Sequence, residues 1–447
     1  MDFPISENIP ATFTAPLPRA ADVVVIGGGV VGVSTALFLA RAGQRVVLLE
    51  KGRIAGEQSS RNWGWIRQQG RDLDELPIMV EANRLWRELA GQTNLDIGLT
   101  QGGTTYLART EQKLATYEDW TQHAKACGVD TRLLSRREVA EMFPGMADSY
   151  PGGLHTPSDL RAEPWVAVPA LAGIAAREGV TILENCAVRC LDIDAGQVAG
   201  VVTELGRIRT PKVVLAAGAW SSLFLRNHGV SVPQLSVRAT VAATTPLPAV
   251  STGGVVDDRI AFRPRADGGY SLAAGGAREI FIGPDALRAL PKYLTQIKTD
   301  PFGTQLRLGA PSGFPDAWRT ARRWHADSVS PFEKTRVLNP APNAEKLTAI
   351  KRNFRRTFPD LPDFELKTTW AGMIDVMPDL VPIVDNVAPL PGLTLGTGFS
   401  GHGFGIGPAM GRVLADLVLG RPVGHDLSRF RFSRFSDGSA IRLGPGL

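Results

Sequence analysis

DVVVIGGGVVGVSTALFLARAGQRVVLLE, residues 22–50, is the stretch that decides the fold. Residues 22–26 form a short apolar, β-branched run, which predicts a buried strand. Val33, Ala36, Leu37 and Ala40 then recur at helical spacing, and residues 45–49 form a second apolar run. The stretch therefore predicts a complete β-turn-α-β unit.

The turn between the first strand and the helix carries the spacing Gly27-x-Gly29-x-x-Gly32. Gly27 permits a tight turn, Gly29 lets the backbone approach a pyrophosphate, and Gly32 lets the helix pack on the strand. The helix start supplies free N–H groups to phosphate, and Glu50 can accept hydrogen bonds from ribose hydroxyls. The pattern indicates a dinucleotide site, with a ligand-free glycine turn as the alternative, and does not separate NAD from FAD.

Composition excludes several classes of protein. The 447 residues are 44% hydrophobic and 21% charged, with a net charge of +5 and no dense basic stripe, which argues against nucleic-acid binding. Three cysteines (Cys127, Cys186 and Cys190) form neither a disulfide framework nor a metal-ligand pattern, so we expect no metal.

The N-terminus lacks a signal-peptide pattern, and the apolar run at 23–42 is too rich in glycine for a transmembrane helix. A cytoplasmic protein is the expectation.

Further along the chain, residues 57–72 form a polar loop rich in Trp and Arg, and residues 181–217 predict a strand meander. Residues 396–411 predict a glycine-rich loop that continues into a helix. Residues 281–345 are rich in Pro, Gly and basic residues and are the least interpretable part. They suit either a docking surface or an elaborated lid.

Five blocks in order resemble the D-amino acid oxidase-type FAD oxidoreductases, which include glycine oxidase, sarcosine oxidase and bacterial D-amino acid dehydrogenases. The first block is the glycine fingerprint with Glu50. The others are SSRN at 59–62 with Gly64, VVLAAGAWS at 213–221, WAG at 370–372 through MPD at 377–379 to PI at 382–383, and GTGFSGHGFG at 396–405. The resemblance covers roughly residues 20–430.

The resemblance implies an α/β fold (α+β overall): a Rossmann-like FAD-binding domain with an interleaved substrate domain built on a large antiparallel sheet. We expect an extended N-terminal arm on the surface at 1–20 and a C-terminal tail at 436–447. The FAD-binding domain would comprise 21–95, 157–230 and 370–435, and the substrate domain 96–156 and 231–369.

The resemblance also implies non-covalent FAD and oxidation of the C–N bond of an amine or amino acid. Hydride transfer to flavin N5 would give an imine that hydrolyses. Oxygen or a quinone-type electron carrier would then take the electrons, and a homodimer is one alternative for the oligomeric state. The cysteine that binds FAD covalently in sarcosine oxidase would fall near Gly372, and Trp63 stands where other relatives have a histidine.

The expected cofactor-binding residues are Gly27, Gly29, Val30, Val31, Gly32, Glu50, Lys51, Ser59, Ser60, Arg61, Asn62, Gly64, Val188 (against the adenine), Ala217, Gly218, Trp220, Gly372, Gly401, His402, Gly403, Phe404 and Gly405. The candidate catalytic residues are Asp375, His402, Arg61 and Trp65. His402 suits a catalytic base or a flanking residue whose backbone contacts the flavin. Trp63 and Trp65 suit either a substrate wall or core packing.

One position departs from the family pattern. Ile374 occupies the place of an arginine that clamps the substrate carboxylate in amino-acid-oxidising relatives. The departure puts an amino-acid substrate in doubt. Asp375 would then either hold an ammonium group or cap a turn. Five arginines are candidates to replace the clamp: Arg61, Arg67, Arg71, Arg238 and Arg263.

Two other functions remain open from the sequence. One is oxidation of a 2-hydroxy acid, which some relatives of this fold perform and which the missing arginine disfavours. The other is a non-catalytic FAD-binding subunit of a larger dehydrogenase complex. An aromatic monooxygenase would need a later glycine-aspartate motif, and the sequence has none.

Overall fold

The glycine-rich unit folds as the sequence predicts, with a strand at Val23–Ile26, a helix at Val30–Arg41 and a second strand at Val46–Leu49. The computed structural model describes residues 3–275, 278–300 and 303–444. Within these residues the strands are β1 Val23–Ile26, β2 Val46–Leu49, β3 Trp65–Ile66, β4 Thr100–Gln101, β5 Thr104–Ala108, β6 Arg132–Ser135, β7 Gly152–Thr156, β8 Leu160–Arg161, β9 Thr181–Leu183, β10 Val188–Asp194, β11 Gln197–Thr203, β12 Gly206–Arg209, β13 Val213–Leu215, β14 Leu235–Thr244, β15 Gly254–Val256, β16 Ile260–Pro264, β17 Tyr270–Ala274, β18 Arg278–Phe281, β19 Thr304–Arg307, β20 Leu366–Val376, β21 Ile383–Asn386 and β22 Leu393–Thr397.

The helices cover the faces of the sheets. They are α1 Val30–Arg41, α2 Gln58–Arg61, α3 Leu76–Ala90, α4 Glu111–Ala126, α5 Arg136–Met142, α6 Pro164–Arg177, α7 Ser221–Asn227, α8 Pro284–Thr299, α9 Pro331–Lys334, α10 Ala344–Thr357 and α11 Gly403–Leu419, with short 3₁₀ turns at Gly218–Trp220, Ser428–Phe430 and Phe432–Phe435. No helix among the described residues is long and apolar enough to cross a membrane.

A six-stranded sheet forms the Rossmann-like part, with strand order β21-β22-β13-β1-β2-β9. Its pairs are parallel except for β21 with β22. Strands β1 and β2 are fully buried, which explains their continuous apolar runs. One apolar core lies between this sheet and α1, α6 and α11, and a second contains the three-stranded sheet β10-β11-β12.

The second large sheet follows the order β19-β18-β14-β17-β16-β15-β5-β7-β6, with β20 also paired to β14. This large sheet confirms the predicted fold class. It is predominantly antiparallel, although β15 with β5 and β18 with β19 are parallel pairs. β20 runs through the expected domain boundary at residue 370, and the boundaries themselves stay a prediction.

Helix α11 begins earlier than the sequence predicts. The stretch 396–411 was expected to be a loop, yet the helix starts at Gly403 and contains Gly407 and Gly411. These glycines face α1: a Cβ at Gly407 would lie 2.6 Å from Val30 Cγ2, and one at Gly411 would lie 2.4 Å from Ser34 Cβ. Glycine disfavours a helix by about 1 kcal/mol, but here it allows two helices to pack closely, and that packing overrides the propensity.

The expectation of an N-terminal arm lying on the surface is wrong at its start. Phe3 and Ile5 are buried in the main apolar core. Further on, the buried Glu184 carboxylate accepts hydrogen bonds from the N–H groups of Thr12 and Phe13, at 2.5 and 3.0 Å. The prolines keep the arm extended, and apolar burial with these hydrogen bonds holds it against the domain.

We predict that Gly411→Ala lowers the free energy of unfolding by about 1–3 kcal/mol, because the added methyl group forces α1 and α11 apart. Gly309→Ala is the matched control, since Gly309 is exposed and a Cβ there has no neighbour within 4 Å. Urea unfolding measures both. Equal stability of the two variants would contradict the close approach of the helices.

Candidate active site

One continuous cavity of about 680 Å³ runs from the first turn of α1 to the large sheet. Its walls include the fingerprint glycines, the loop at 57–67, the start of α11 and the facing strands β14, β17 and β20. A concave site of this size lies in the range typical of small-molecule and cofactor pockets. The candidate residues of the sequence analysis are therefore gathered around one space.

The glycine turn has the geometry that the fingerprint requires. Gly27 has φ +111°, and a Cβ there would lie 2.5 Å from the carbonyl oxygen of Ala216. A Cβ at Gly32 would lie 2.0 Å from the carbonyl oxygen of Gly27, so Gly32 packs the helix on the turn without lining the cavity. Gly29, Val30 and Val31 line the cavity, and the Val30 N–H donates to Ser59 Oγ at 2.9 Å.

Glu50 lies in the cavity wall just after β2. One carboxylate oxygen accepts from the Gly28 N–H and the other from the Gly52 N–H, both at 2.7 Å. Burial raises its pKa, while Lys51 and the two N–H groups oppose that rise. Each oxygen keeps a lone pair for a further donor, as contact with ribose hydroxyls requires.

The loop that follows is organised by Glu57, which the sequence analysis missed. Glu57 accepts hydrogen bonds from Lys51 Nζ at 2.7 Å and from the indole N–H of Trp220 at 2.9 Å. Lys51 Nζ also lies 4.3 Å from the centroid of the Trp220 ring. The only signal for Glu57 in the sequence is an acidic residue two positions before the serine motif.

Arg61 is almost fully buried in the cavity wall. Its Nη1 donates to Asn339 Oδ1 at 2.7 Å and to the Ala371 carbonyl at 3.0 Å, and burial lowers its pKa to about 10. Its Nη2 has no hydrogen-bond partner among the described residues. Arg61 therefore joins α2 to β20 and keeps donor capacity for a bound group.

The other predicted cofactor residues divide into two sets. Ser60 and Gly64 are buried behind the wall, where Ser60 Oγ donates to the Glu57 carbonyl and Gly64 lies against the Ala162 carbonyl and Arg263. The residues that line the cavity are Lys51, Ser59, Asn62, Val188, Ala217, Gly218, Trp220, Gly372, Gly401, His402, Gly403, Phe404 and Gly405.

Helix α11 opens directly on the cavity. Its N-cap residue, His402, makes no side-chain capping hydrogen bond, so the N–H groups of the first turn remain available to a ligand. The preceding Ser400 has φ +52°, a conformation that costs energy for a residue with a side chain.

Asp375 holds that loop. Its Oδ2 accepts from the Gly398 N–H at 2.7 Å and from Gln234 Nε2 at 3.2 Å, and its carbonyl accepts from the Ser400 N–H at 2.9 Å. Burial raises the pKa of Asp375, and the loop donors oppose the rise. These contacts favour the structural alternative for Asp375 over binding of a substrate ammonium group. Gln234, which the sequence analysis missed, also donates to the Gly218 carbonyl at 2.9 Å.

His402 has both ring nitrogens engaged. Nδ1 lies 3.3 Å from Glu75 Oε2, and Nε2 lies 3.3 Å from Arg67 Nη2. Burial and the charge of Arg71 lower its pKa to about 4, although Glu75 opposes that effect. The imidazole is therefore neutral near pH 7, and neither nitrogen is left to take a proton from a substrate.

Arg71, a buried residue of the cavity wall, joins the segments that meet here. Its guanidinium donates to the Arg67 carbonyl at 3.0 Å and to the His402 carbonyl at 3.2 Å, and lies 3.5 Å from Glu75 Oε2. Burial lowers its pKa to about 10. The short strand β3 is thereby joined to the start of α11.

Of the five arginines that could replace the missing carboxylate clamp, three form ion pairs with carboxylates of the protein. Arg238 pairs with Glu279, Arg263 with Glu163 and Arg71 with Glu75. Arg67 lines the cavity, and no carboxylate among the described residues lies within ion-pair distance of it.

Arg278, at the start of β18, also lines the cavity and was missed by the sequence analysis. Although Arg278 is exposed to solvent at the cavity, desolvation by the surrounding chain lowers its pKa; Asp300 opposes this effect and the charge of Arg67 adds to it. It too forms no ion pair with a carboxylate in the described part of the chain. Arg67 and Arg278 thus both bring positive charge to the cavity, which Asp300 also lines.

Aromatic side chains complete the wall beside these arginines. Trp63 and Trp65 both line the cavity and meet edge to face, with ring centroids 5.2 Å apart. The Trp65 indole N–H has no partner among the described residues. Arg67 lies 5.7 Å from the centroid of the Tyr106 ring. The arrangement combines a cationic end with an apolar wall.

Comparison with known proteins identifies relatives of this arrangement. The family model described as "DAO: FAD dependent oxidoreductase" matches residues 22–417. The solved structure of L-amino acid deaminase from Proteus myxofaciens in complex with anthranilate superimposes with a TM-score of 0.90 at 30% identity, covering 96% of each chain. The D-amino acid dehydrogenase of Paramagnetospirillum magneticum is 27% identical over 93% of this chain and 99% of its own length.

The mitochondrial sarcosine dehydrogenase of Homo sapiens is 30% identical over 94% of this chain. This chain spans only 42% of the length of that relative and 43% of its Mus musculus counterpart. The resemblance that the five sequence blocks carry is confirmed.

The cavity fits FAD on three structural grounds. Gly27, Gly28 and Gly29 line the cavity without side chains, which allows the backbone to approach a pyrophosphate closely. The N-terminal turns of α1 and α11 both open on the cavity, and their partial positive charge suits phosphate and a reduced flavin. The buried Arg61 Nη2 and Trp65 Nε1 offer donors that the described residues leave unsatisfied.

We predict that His402→Gln flattens the pH dependence of thermal stability. The pKa of His402 is about 4 in the folded protein against 6.5 ordinarily, so the unfolded chain binds the extra proton between these values. The stabilisation from a neutral His402 is present above pH 6.5 and is lost as the pH falls through 4. Between about pH 7 and about pH 4.5 the Tm of the wild type should therefore fall further than that of the variant. Parallel curves would show that His402 titrates normally.

Proposed function

Because the chain belongs to the DAO family of FAD-dependent oxidoreductases, we propose that it oxidises the C–N bond of an amino acid whose carboxylate is bound by Arg67 and Arg278. The observation that supports the substrate class is that both arginines line the cavity and that neither forms an ion pair with a carboxylate among the described residues. A substrate carboxylate would relieve their mutual repulsion and accept charge-assisted hydrogen bonds.

Binding by Arg67 and Arg278 would explain how a substrate carboxylate is held although Ile374 stands in the place of the family arginine. In β20, Ile374 lines the cavity beside Gly401, where the family arginine would stand. Arg67 follows β3 and Arg278 opens β18, so the positive charge enters the same cavity from other strands. The apolar Ile374 then contributes to a dry wall near the reacting carbon.

The chain's own residues would bind and orient the substrate. Arg67 and Arg278 hold the carboxylate, and Trp65 and Tyr106 border the side-chain space with aromatic surface. Asp375 and His402 are each occupied by hydrogen bonds within the protein, so the amine would bind neutral, having released its proton to solvent. Backbone N–H groups at the start of α11 would stabilise negative charge on the cofactor.

When bound, FAD supplies the acceptor for the hydride from the α-carbon, so the amino acid is oxidised to an imino acid that water hydrolyses. The two electrons pass on to oxygen or to a quinone, which remain alternatives. Attachment would be non-covalent: Gly372 and Trp63 stand where relatives have a linking residue, and the three cysteines lie away from the cavity lining.

The deciding experiment is an anaerobic substrate screen that follows the loss of the flavin's visible absorbance. D- and L-amino acids, N-methyl amino acids, the matching amines without a carboxylate, and 2-hydroxy acids are compared. Bleaching by amino acids and not by the matching amines supports the proposal. Bleaching by amines alone contradicts the arginine assignment, and bleaching by 2-hydroxy acids alone would assign the alternative activity.

We predict that Arg278→Met and Arg67→Met each raise the KM of the bleaching amino acid about ten- to a hundredfold, because a hydrogen bond to a charged group contributes about 1.5–3 kcal/mol. The control is Arg137→Met, since Arg137 is exposed on α5 and pairs only with Glu141 among the described residues. An unchanged KM in both cavity variants would remove the arginines from substrate binding.

We also predict that acid precipitation of the purified protein leaves the flavin in the supernatant. The physical reason is that hydrogen bonds and helix N-termini hold the cofactor only while the chain is folded. Absorbance of the supernatant and of the pellet measures the partition. Flavin retained in the pellet would demonstrate a covalent bond.

A further inference from the structure

The segment behind Arg67 is a chain of hydrogen-bonding groups that runs away from the cavity. Arg67 contacts His402, which contacts Glu75, the residue preceding α3. Glu75 is fully buried; burial opposes its ionisation, but the hydrogen bond from His402 and the charge of Arg71 lower its pKa overall. Glu75 is therefore an anion at the far end of the chain.

The directions of its two hydrogen bonds determine which ring nitrogen of His402 carries the proton. A guanidinium can only donate, so the contact from Arg67 Nη2 requires a lone pair on His402 Nε2. In a neutral ring the proton then lies on Nδ1, where the Glu75 carboxylate accepts it at 3.3 Å. Glu75 thus selects the tautomer that Arg67 needs.

The same contacts determine where Arg67 points. Its Nη1 donates to the Gln69 carbonyl and its Nη2 to His402, while Tyr106 lies against the guanidinium. Of the five N–H bonds of the guanidinium, these contacts use two. The remaining N–H bonds make no hydrogen bond to the described residues, and Arg67 lines the cavity, so they are free to bind a ligand there.

Resting on the proposed function, we propose that His402 and Glu75 are positioning residues: His402 accepts a hydrogen bond from Arg67, Glu75 fixes the accepting tautomer, and together they aim Arg67 at the substrate carboxylate. His402 is then an acceptor within the protein and takes no proton from the substrate. Its contribution is to the binding of the carboxylate, so its loss acts on KM and leaves kcat largely unchanged.

The test uses two polar variants of the FAD-loaded protein. His402→Gln places a carbonyl oxygen near the position of Nε2 and can still accept from Arg67. His402→Asn places its amide near Nδ1, so it can reach Glu75 and not Arg67. The probe is benzoate, a carboxylate without an oxidisable C–N bond, titrated by the change in flavin absorbance, alongside the KM and kcat of the amino acid that bleaches the flavin.

We expect His402→Asn to raise the benzoate Kd and the KM about tenfold and His402→Gln to raise them by less than about threefold, with kcat changed by less than about threefold in both. In an Arg67→Met background, His402→Asn should change Kd by less than about twofold, because its effect passes through Arg67.

Three outcomes would overturn the inference. The first is an equal benzoate Kd and KM in His402→Gln and His402→Asn, and the second is a tenfold rise in Kd caused by His402→Asn in the Arg67→Met background. The third is a loss of kcat with an unchanged KM, which would indicate proton transfer. A wild type that still bleaches with amino acids in these cases leaves the proposed function intact. A wild type that neither binds benzoate nor bleaches with any amino acid would overturn both.

Discussion

The close approach of α1 and α11 is the constraint on which the site depends. Glycines at 407 and 411 bring α11 against Val30 and Ser34 of α1, and no side chain fits between them. The two helices therefore present their N-terminal turns to one cavity. Each N-terminus carries unsatisfied N–H groups and partial positive charge, which makes the cavity receptive to negative charge at two separate points.

Buried polar groups fix the loops around those helix ends. Asp375 holds the residues that precede α11 through the Gly398 and Ser400 N–H groups, and Arg71 joins His402 to Arg67. Burying these charges is costly unless they are paired or hydrogen-bonded. Their partners are mostly backbone groups of functional loops, so the cost is offset by a rigid, preorganised site.

On the proposed function, recognition of the substrate would be distributed differently from the family pattern. An apolar residue, Ile374, stands on β20 where the family has an arginine. The cationic groups come instead from Arg67 after β3 and Arg278 on β18. The cavity therefore still contains positive charge, although the charged residues lie on other strands than in the family pattern. This is possible because several strands of the large sheet line the same cavity.

The sequence by itself determined the β-turn-α-β unit, the glycine turn, Glu50 and the family, because these depend on local spacing and on motifs that are continuous in the chain. Helix α6 likewise begins at Pro164, and proline is favoured at the first position of a helix, so its start can also be read from local sequence. Local propensity was misleading at 403–411, where glycines sit inside a helix because of a neighbour that the sequence does not show.

Which residues come together at the part of the cavity proposed to bind the substrate is determined only by the tertiary structure. Arg67 and Glu75, Arg278, and His402 come from three separate segments of the chain with no shared motif, so the sequence does not show that they meet. Their roles come from distances and burial: a neutral His402 between an arginine and a carboxylate, and two arginines without a carboxylate partner in the described part of the chain. Charge and hydrogen bonding act through space, and the strand order that brings these groups together is a property of the folded chain.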